Sequence, residues 1–122
     1  MAKVLIIDDS PTEVHVLQSL LEKNGHEVVV ASSGEEGIVV AKETLPDVVL
    51  MDVVMPGMNG FQATRKITTT AGTEHIPVIM LTTKDQETDK VWAQRQGASD
   101  YVVKPPKPAE LLDKIDKLLN GQ

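Results

Sequence analysis

Apolar residues arrive in five short runs, and each run is followed by a helical pattern. Residues 3–7 are rich in β-branched side chains and predict a strand. Residues 27–31, 47–51, 77–81 and 101–103 repeat the signal. The run at 47–51 is continuous rather than alternating, which predicts a strand buried on both faces. The helices between the runs have readable ends. Ser10-Pro11-Thr12-Glu13 sets Ser10 as N-cap, Pro11 at the first helical position and Glu13 as the return partner of a capping box. Val14, Leu17 and Leu21 keep helical spacing, and Asn24-Gly25 closes the helix. Ser33-Gly34-Glu35-Glu36 predicts a second capping box, opening a helix to about residue 44 that Pro46 stops. Further helices are predicted over 60 to about 70, 86–96 and 108–119. The one over 86–96 is mostly polar and ends at Gly97. The last carries Leu111, Leu112, Ile115, Leu118 and Leu119 on one stripe. Five strands alternating with five helices predict right-handed βαβ units, an α/β fold with a parallel sheet and helices on both faces.

A length of 122 residues, 41% of them hydrophobic, fits one domain with one core, spanning 1–122 and carrying no effector domain. Any output then passes through the surface of this domain. Eighteen acidic against 12 basic residues give a net charge of −6, which argues against nucleic acid or an anionic membrane as partner. The chain has no cysteine, so thiolate chemistry, disulfides and cysteine zinc sites are excluded, in keeping with a cytoplasmic protein. No apolar run approaches the ~18 residues of a membrane span. The first apolar run stops at Asp8-Asp9 and does not read as a signal peptide.

Chemistry collects at the strand ends. Asp52 stands at the tip of the third strand, before the loop Val53-Val54-Met55-Pro56-Gly57-Met58-Asn59-Gly60. Asp8 and Asp9 end the first strand, Thr82 the fourth and Lys104 the fifth. Taken singly, these read as turn acids, a helix cap and a solvated lysine. In a parallel sheet they share one edge, the carboxyl edge where α/β sheets bind ligands. Three neighbouring carboxylates raise one another's pKa, and a hard cation among them keeps them ionised. An all-oxygen site of this kind suits Mg²⁺; calcium stays open, although no EF-hand spacing is present. A carboxylate beside a metal is prepared to accept a phosphoryl group, a reaction that needs alignment and charge neutralisation. The Lys104 ammonium adds a second positive charge, and the Thr82 hydroxyl offers a hydrogen bond to a phosphoryl oxygen. His15, His26 and His75 lack metal-ligand spacing.

Asp8-Asp9-Ser10, Asp52 with Met55-Pro56-Gly57-Met58-Asn59-Gly60, Thr82 before a helix, and Gly97-Ala98-Ser99-Asp100-Tyr101 leading into Lys104-Pro105 together resemble the receiver domain of two-component response regulators. The resemblance covers essentially the whole chain. It implies a flavodoxin-like doubly wound (βα)5 fold with a five-stranded parallel sheet in the order 2-1-3-4-5. It also implies that Asp52 accepts a phosphoryl group from a histidine kinase. Asp9, Asp52 and the Val54 backbone carbonyl would bind Mg²⁺, with Asp8 acting through water. Lys104 would contact the phosphoryl group, Thr82 and Tyr101 would form a switch pair, and the Lys104–Pro105 peptide would be cis. Such a chain catalyses only its own phosphoryl transfer and slow autodephosphorylation.

A narrower set, Asp8-Asp9-Ser10-Pro11-Thr12-Glu13, Asn59-Gly60-Phe61-Gln62-Ala63-Thr64-Arg65 and residues 82–92, resembles the single-domain regulators of type IV pilus twitching motility, which belong to chemotaxis-like pathways. It implies a downstream motility protein docking on the face made by the helix from Gln86, the fifth strand and the last helix. Trp92 on that helix either covers the core or anchors the partner.

The sequence departs from the pattern at Thr83, Pro106, Val54 and Lys84, which flank the site. Val54 and Lys84 are poor groups for orienting a hydrolytic water, so the resemblance implies a long-lived phosphorylated form. The rival readings are a receiver-like protein-binding module that is never phosphorylated, a flavodoxin and an aspartyl phosphatase. Asp8-Asp9 would repel a flavin phosphate, and Val54 stands where such a phosphatase typically has its second aspartate.

Overall fold

A computed structural model describes residues 2–83 and 87–120 of the protein. The elements run β1 (Lys3–Ile7), α1 (Pro11–Lys23), β2 (Glu27–Ala31), α2 (Gly34–Thr44), β3 (Val48–Asp52), α3 (Gly60–Thr69), β4 (Val78–Thr82), α4 (Glu87–Arg95), β5 (Asp100–Val103) and α5 (Pro108–Leu119). Every strand pair is parallel, and the order is β2-β1-β3-β4-β5. This is the predicted flavodoxin-like fold. The boundaries shift by about a residue. β3 and β4 start one residue later than the apolar runs suggest and extend to include Asp52 and Thr82. The predicted helix start at Gln86 lies outside the described residues.

Strand periodicity divides the core into two layers. Leu5, Ile7, Val49, Met51, Val78 and Met80 face one side, where Ala41 of α2, Ala63 and Ile67 of α3, and Ala93 of α4 pack against them. Val4, Ile6, Val48, Leu50, Ile79, Leu81 and Val102 face the other, against Leu17 and Leu21 of α1 and Leu111 and Ile115 of α5. The leucine stripe of the last helix is therefore its core face, with Leu112, Leu118 and Leu119 at its margin. Every apolar residue of β1, β3 and β4 is fully or almost fully buried, which explains why these strands read as continuous apolar runs. Among the described residues, no helix is long and apolar enough to cross a membrane.

The helix starts match the sequence at Ser10 and Ser33, but the two expected capping boxes do not close. The Glu13 N–H donates to Ser10 Oγ at 3.3 Å and the Glu36 N–H to Ser33 Oγ at 3.1 Å. The Glu36 carboxylate takes the Ser32 N–H at 2.6 Å instead of that of Ser33. The Glu13 carboxylate leaves its helix altogether for a lysine, because a charge-assisted bond is stronger than a return to the backbone. The reciprocal box occurs at α3, where Asn59 Oδ1 accepts from the Gln62 N–H at 2.9 Å and Gln62 Oε1 from the Asn59 N–H at 3.0 Å.

That box places Gly60 against the tip of β3. A Cβ at Gly60 would fall on the Asp52 carbonyl oxygen and lie 2.8 Å from Val53 Cα. Both obstacles are backbone, which cannot turn aside. Gly60→Ala should destabilise the protein by about 2 kcal/mol, within the overpacking range, and displace Asp52. Urea unfolding reads this as a lower midpoint with an unchanged slope. An unchanged midpoint would mean that α3 shifts freely on the strand tip.

Candidate functional site

Alternation along the strands decides which charged residues meet. Val48 and Leu50 face α1 and α5, so Asp52, the next residue of that parity, extends to the same side. Val4 and Ile6 put Asp8 there as well, and Val102 puts Lys104 there. The pairing of β1 with both β2 and β3 brings the ends of β1 and β3 side by side. The Lys104 N–H donates to the Thr82 carbonyl at 2.6 Å, which fixes the fifth strand end to the fourth.

The outcome is a compact charge cluster. Lys104 Nζ donates to Asp52 Oδ1 at 2.8 Å, to Glu13 Oε2 at 2.9 Å and to Asp8 Oδ2 at 3.4 Å. Asp8 is held from its own backbone side too, since its Oδ1 accepts the Ser10 N–H at 2.9 Å. Asp8 and Asp52 are buried, and the Lys104 side chain is 9% exposed.

Burial, with the charges of Asp52 and Glu13 adding to it, raises the Asp8 carboxyl from its ordinary 3.8 to about 6, against the lowering effects of the Ser10 N–H and Lys104. Burial likewise raises Asp52; the hydrogen bond and charge of Lys104 oppose that, while Glu13 and Asp9 add to it. For Lys104, burial disfavours the ammonium, but its bonds to Asp52 and Glu13 outweigh burial and raise it above the ordinary lysine value.

The predicted residues divide into groups. Asp8, Asp52 and Lys104 come together as expected. Glu13 joins them, and carboxylate oxygens of Asp8, Glu13 and Asp52 lie within 4.8 Å of one another. Asp9, of opposite parity, is exposed and outside that trio, although its charge still acts on Asp52. The all-oxygen donor set fits a hard cation such as Mg²⁺. Thr82 is buried at the end of β4, and by alternation it belongs with Met80 on the α2–α4 side of the sheet. Tyr101 packs against that same layer. The Lys104–Pro105 peptide is cis. Val54 is 65% exposed beside the site, Thr83 is exposed, and Lys84 lies outside the described residues. Trp92 is 48% exposed on α4, so of its two readings the core one is not what the structure shows.

An acidic cluster with a lysine on its central carboxylate, at the carboxyl edge of a 2-1-3-4-5 parallel sheet, defines a receiver. The sequence matches the response regulator receiver domain family over residues 4–116, and the chain belongs to that family. It is 58% identical over 121 residues to Protein PilH of Pseudomonas aeruginosa, covering 99% of this chain and 100% of that relative. Among solved structures it is similar to the chemotaxis protein CheY4 of Vibrio cholerae, with 33% identity, a TM-score of 0.91 and coverage of 97% and 98% of the two chains. It is also similar to the receiver domain of sensor histidine kinase PA1611 of Pseudomonas aeruginosa, with 28% identity, a TM-score of 0.90 and 98% of each chain covered. That structure has a magnesium ion coordinated in its active-site cleft. Other curated relatives, 34–38% identical, are longer proteins, of which this chain spans 26–49%.

Proposed function

We propose that the protein is a phosphoacceptor response regulator in which Asp52 takes a phosphoryl group from a histidine kinase. The observation that carries this reading is the Lys104 ammonium 2.8 Å from Asp52 Oδ1, in a buried acidic cluster at the sheet edge. An Asp52 oxygen forms the bond to phosphorus as the bond from phosphorus to the kinase imidazole breaks. Lys104 neutralises charge on the phosphoryl oxygens, and the Thr82 hydroxyl donates to one of them. Mg²⁺, held by Asp9, Asp52 and the Val54 carbonyl with Asp8 acting through water, supplies further charge neutralisation when bound. Incubation with a small-molecule phosphodonor and Mg²⁺ should add one phosphoryl group, seen by intact mass. No adduct under saturating donor would leave the receiver-like binding module as the better reading.

Output runs by protein contact through the face of α4, β5 and α5. Thr82 and Tyr101 on the same side of the sheet support a switch in which Thr82 moves toward the phosphoryl group and Tyr101 turns inward. Trp92 and Val91, exposed on α4, support a partner-binding role for that face. Similarity to PilH and to a chemotaxis protein supports a type IV pilus or chemotaxis-like motility pathway. Iodide should quench most of the fluorescence of Trp92, the only tryptophan. Strong protection from iodide in the isolated protein would remove Trp92 as an anchor.

A further inference from the structure

Glu13 has no role in the phosphoryl transfer proposed above, yet its carboxylate touches the lysine at the centre of it. We infer that Glu13 is a positioning residue: its carboxylate tethers the Lys104 ammonium beside the acceptor and keeps it there when the other carboxylates are occupied. This rests on the reading of Asp52 as acceptor.

An ammonium has three N–H donors, and Asp52, Glu13 and Asp8 take them at 2.8, 2.9 and 3.4 Å. Two of these partners are committed elsewhere during the reaction. Asp52 becomes an acyl phosphate, and its charge moves outward to the phosphoryl oxygens. Asp8 and Asp52 would also help to hold a divalent cation, whose charge would repel the ammonium. Glu13, although its carboxylate lies within 4.8 Å of those of Asp8 and Asp52, is outside the ligand set proposed above and so remains available to Lys104. It lies on the first turn of α1, where its backbone is fixed: its N–H is held by Ser10 Oγ, and the Ser10 carbonyl accepts the Val14 N–H at 3.0 Å. One donor of Lys104 can stay on Glu13 while the others move to phosphoryl oxygens.

A simple surface ion pair would contribute little. This pair is asymmetric instead: the Glu13 side chain is 44% exposed and that of Lys104 only 9%. Both line an apolar groove of about 350 Å³ walled by Val16, Leu17, Leu81 and Pro105. Apolar walls strengthen the bond at the lysine end. The competing effect is repulsion of an anionic phosphodonor by the Glu13 charge, which solvent and salt screen on its exposed side.

The test uses the full chain, Glu13→Ala and Glu13→Gln, each in the wild-type and Lys104→Met backgrounds. The rate of adduct formation is followed by intact mass with acetyl phosphate at saturating Mg²⁺. The cap survives in both variants, because the atom donating to Ser10 is backbone. Glu13→Ala should react roughly tenfold more slowly, as expected when a catalytic group loses its position. Glu13→Gln, whose amide oxygen still accepts a hydrogen bond, should recover part of that loss. In the Lys104→Met background Glu13→Ala should have no further effect. A rate equal to or above wild type for Glu13→Ala, or the same slowing without Lys104, overturns the proposal. The ammonium signal of Lys104 in nitrogen-15 NMR, recorded with Mg²⁺ and no donor, should persist in wild type and disappear in Glu13→Ala. Persistence in Glu13→Ala overturns the tether even if no adduct forms, whereas absence of any wild-type adduct counts against Asp52 as acceptor.

Discussion

Asp52→Asn should take up no phosphoryl group from a small-molecule donor under conditions where wild type is fully converted, a loss of at least about a hundredfold in rate. Asparagine keeps the shape of the side chain, so the strand tip and the packing of α3 on it are preserved. What disappears is the charged oxygen that forms the bond to phosphorus. The fold should not suffer, because burial already disfavours the Asp52 carboxylate. Removing that charge removes a desolvation cost together with the Lys104 bond. Circular dichroism and urea unfolding would confirm that the variant is folded, and intact mass would report the adduct. Uptake equal to wild type would move the acceptor elsewhere, with Asp8, on the same side of the sheet, the first alternative. A second adduct that appears only in the variant would show that Lys104 and the cation can activate a substitute carboxylate.

The arrangement behind that prediction was partly open to sequence reading. Continuous apolar runs identified β1, β3 and β4 because those strands are covered on both faces. Ser10, Ser33 and the glycines marked helix ends by local chemistry, which needs no tertiary information. The meeting of Asp8, Asp52 and Lys104 followed from strand ends sharing an edge. Strand parity, read one step further, also separates Asp9 from Asp8 and predicts that the two aspartates do different work. Local sequence rules misplace Glu13 for a physical reason. Local rules assign a glutamate three residues after a serine to the N-cap, whereas the cation that claims it is 91 residues away in the chain. Trp92 was ambiguous for a similar reason. A tryptophan on a polar helix is core or interface according to what the neighbouring elements cover, and here Trp92 is left exposed.

The unusual state of Asp8 yields the second large effect. Its folded pKa, about 6, lies above the 3.8 of an ordinary aspartate. The folded protein therefore binds this proton more tightly than the unfolded chain does. Stability from this group is full below pH 3.8, falls as pH rises between 3.8 and about 6, and stays lost at neutral pH. A shift of this size corresponds to roughly 3 kcal/mol, shared with the groups that titrate alongside it. Asp8→Asn removes the penalty while its amide oxygen can still accept the Ser10 N–H. Without metal at pH 7, the variant should be more stable than wild type by about 2 kcal/mol, and the gap should close as pH falls below the Asp8 pKa. Mg²⁺ should narrow this gap. Wild type gains about 2.7 kcal/mol at a hundred times its dissociation constant, and the variant, short of one carboxylate, gains less at the same Mg²⁺ concentration. Urea unfolding at pH 7 and at pH 4.5, each with EDTA and with Mg²⁺, reads all four conditions. Equal stability of the two proteins at pH 7 in EDTA would show that Lys104 fully compensates the buried Asp8 charge. An equal Mg²⁺ gain in both would show that Asp8 takes no part in holding the cation.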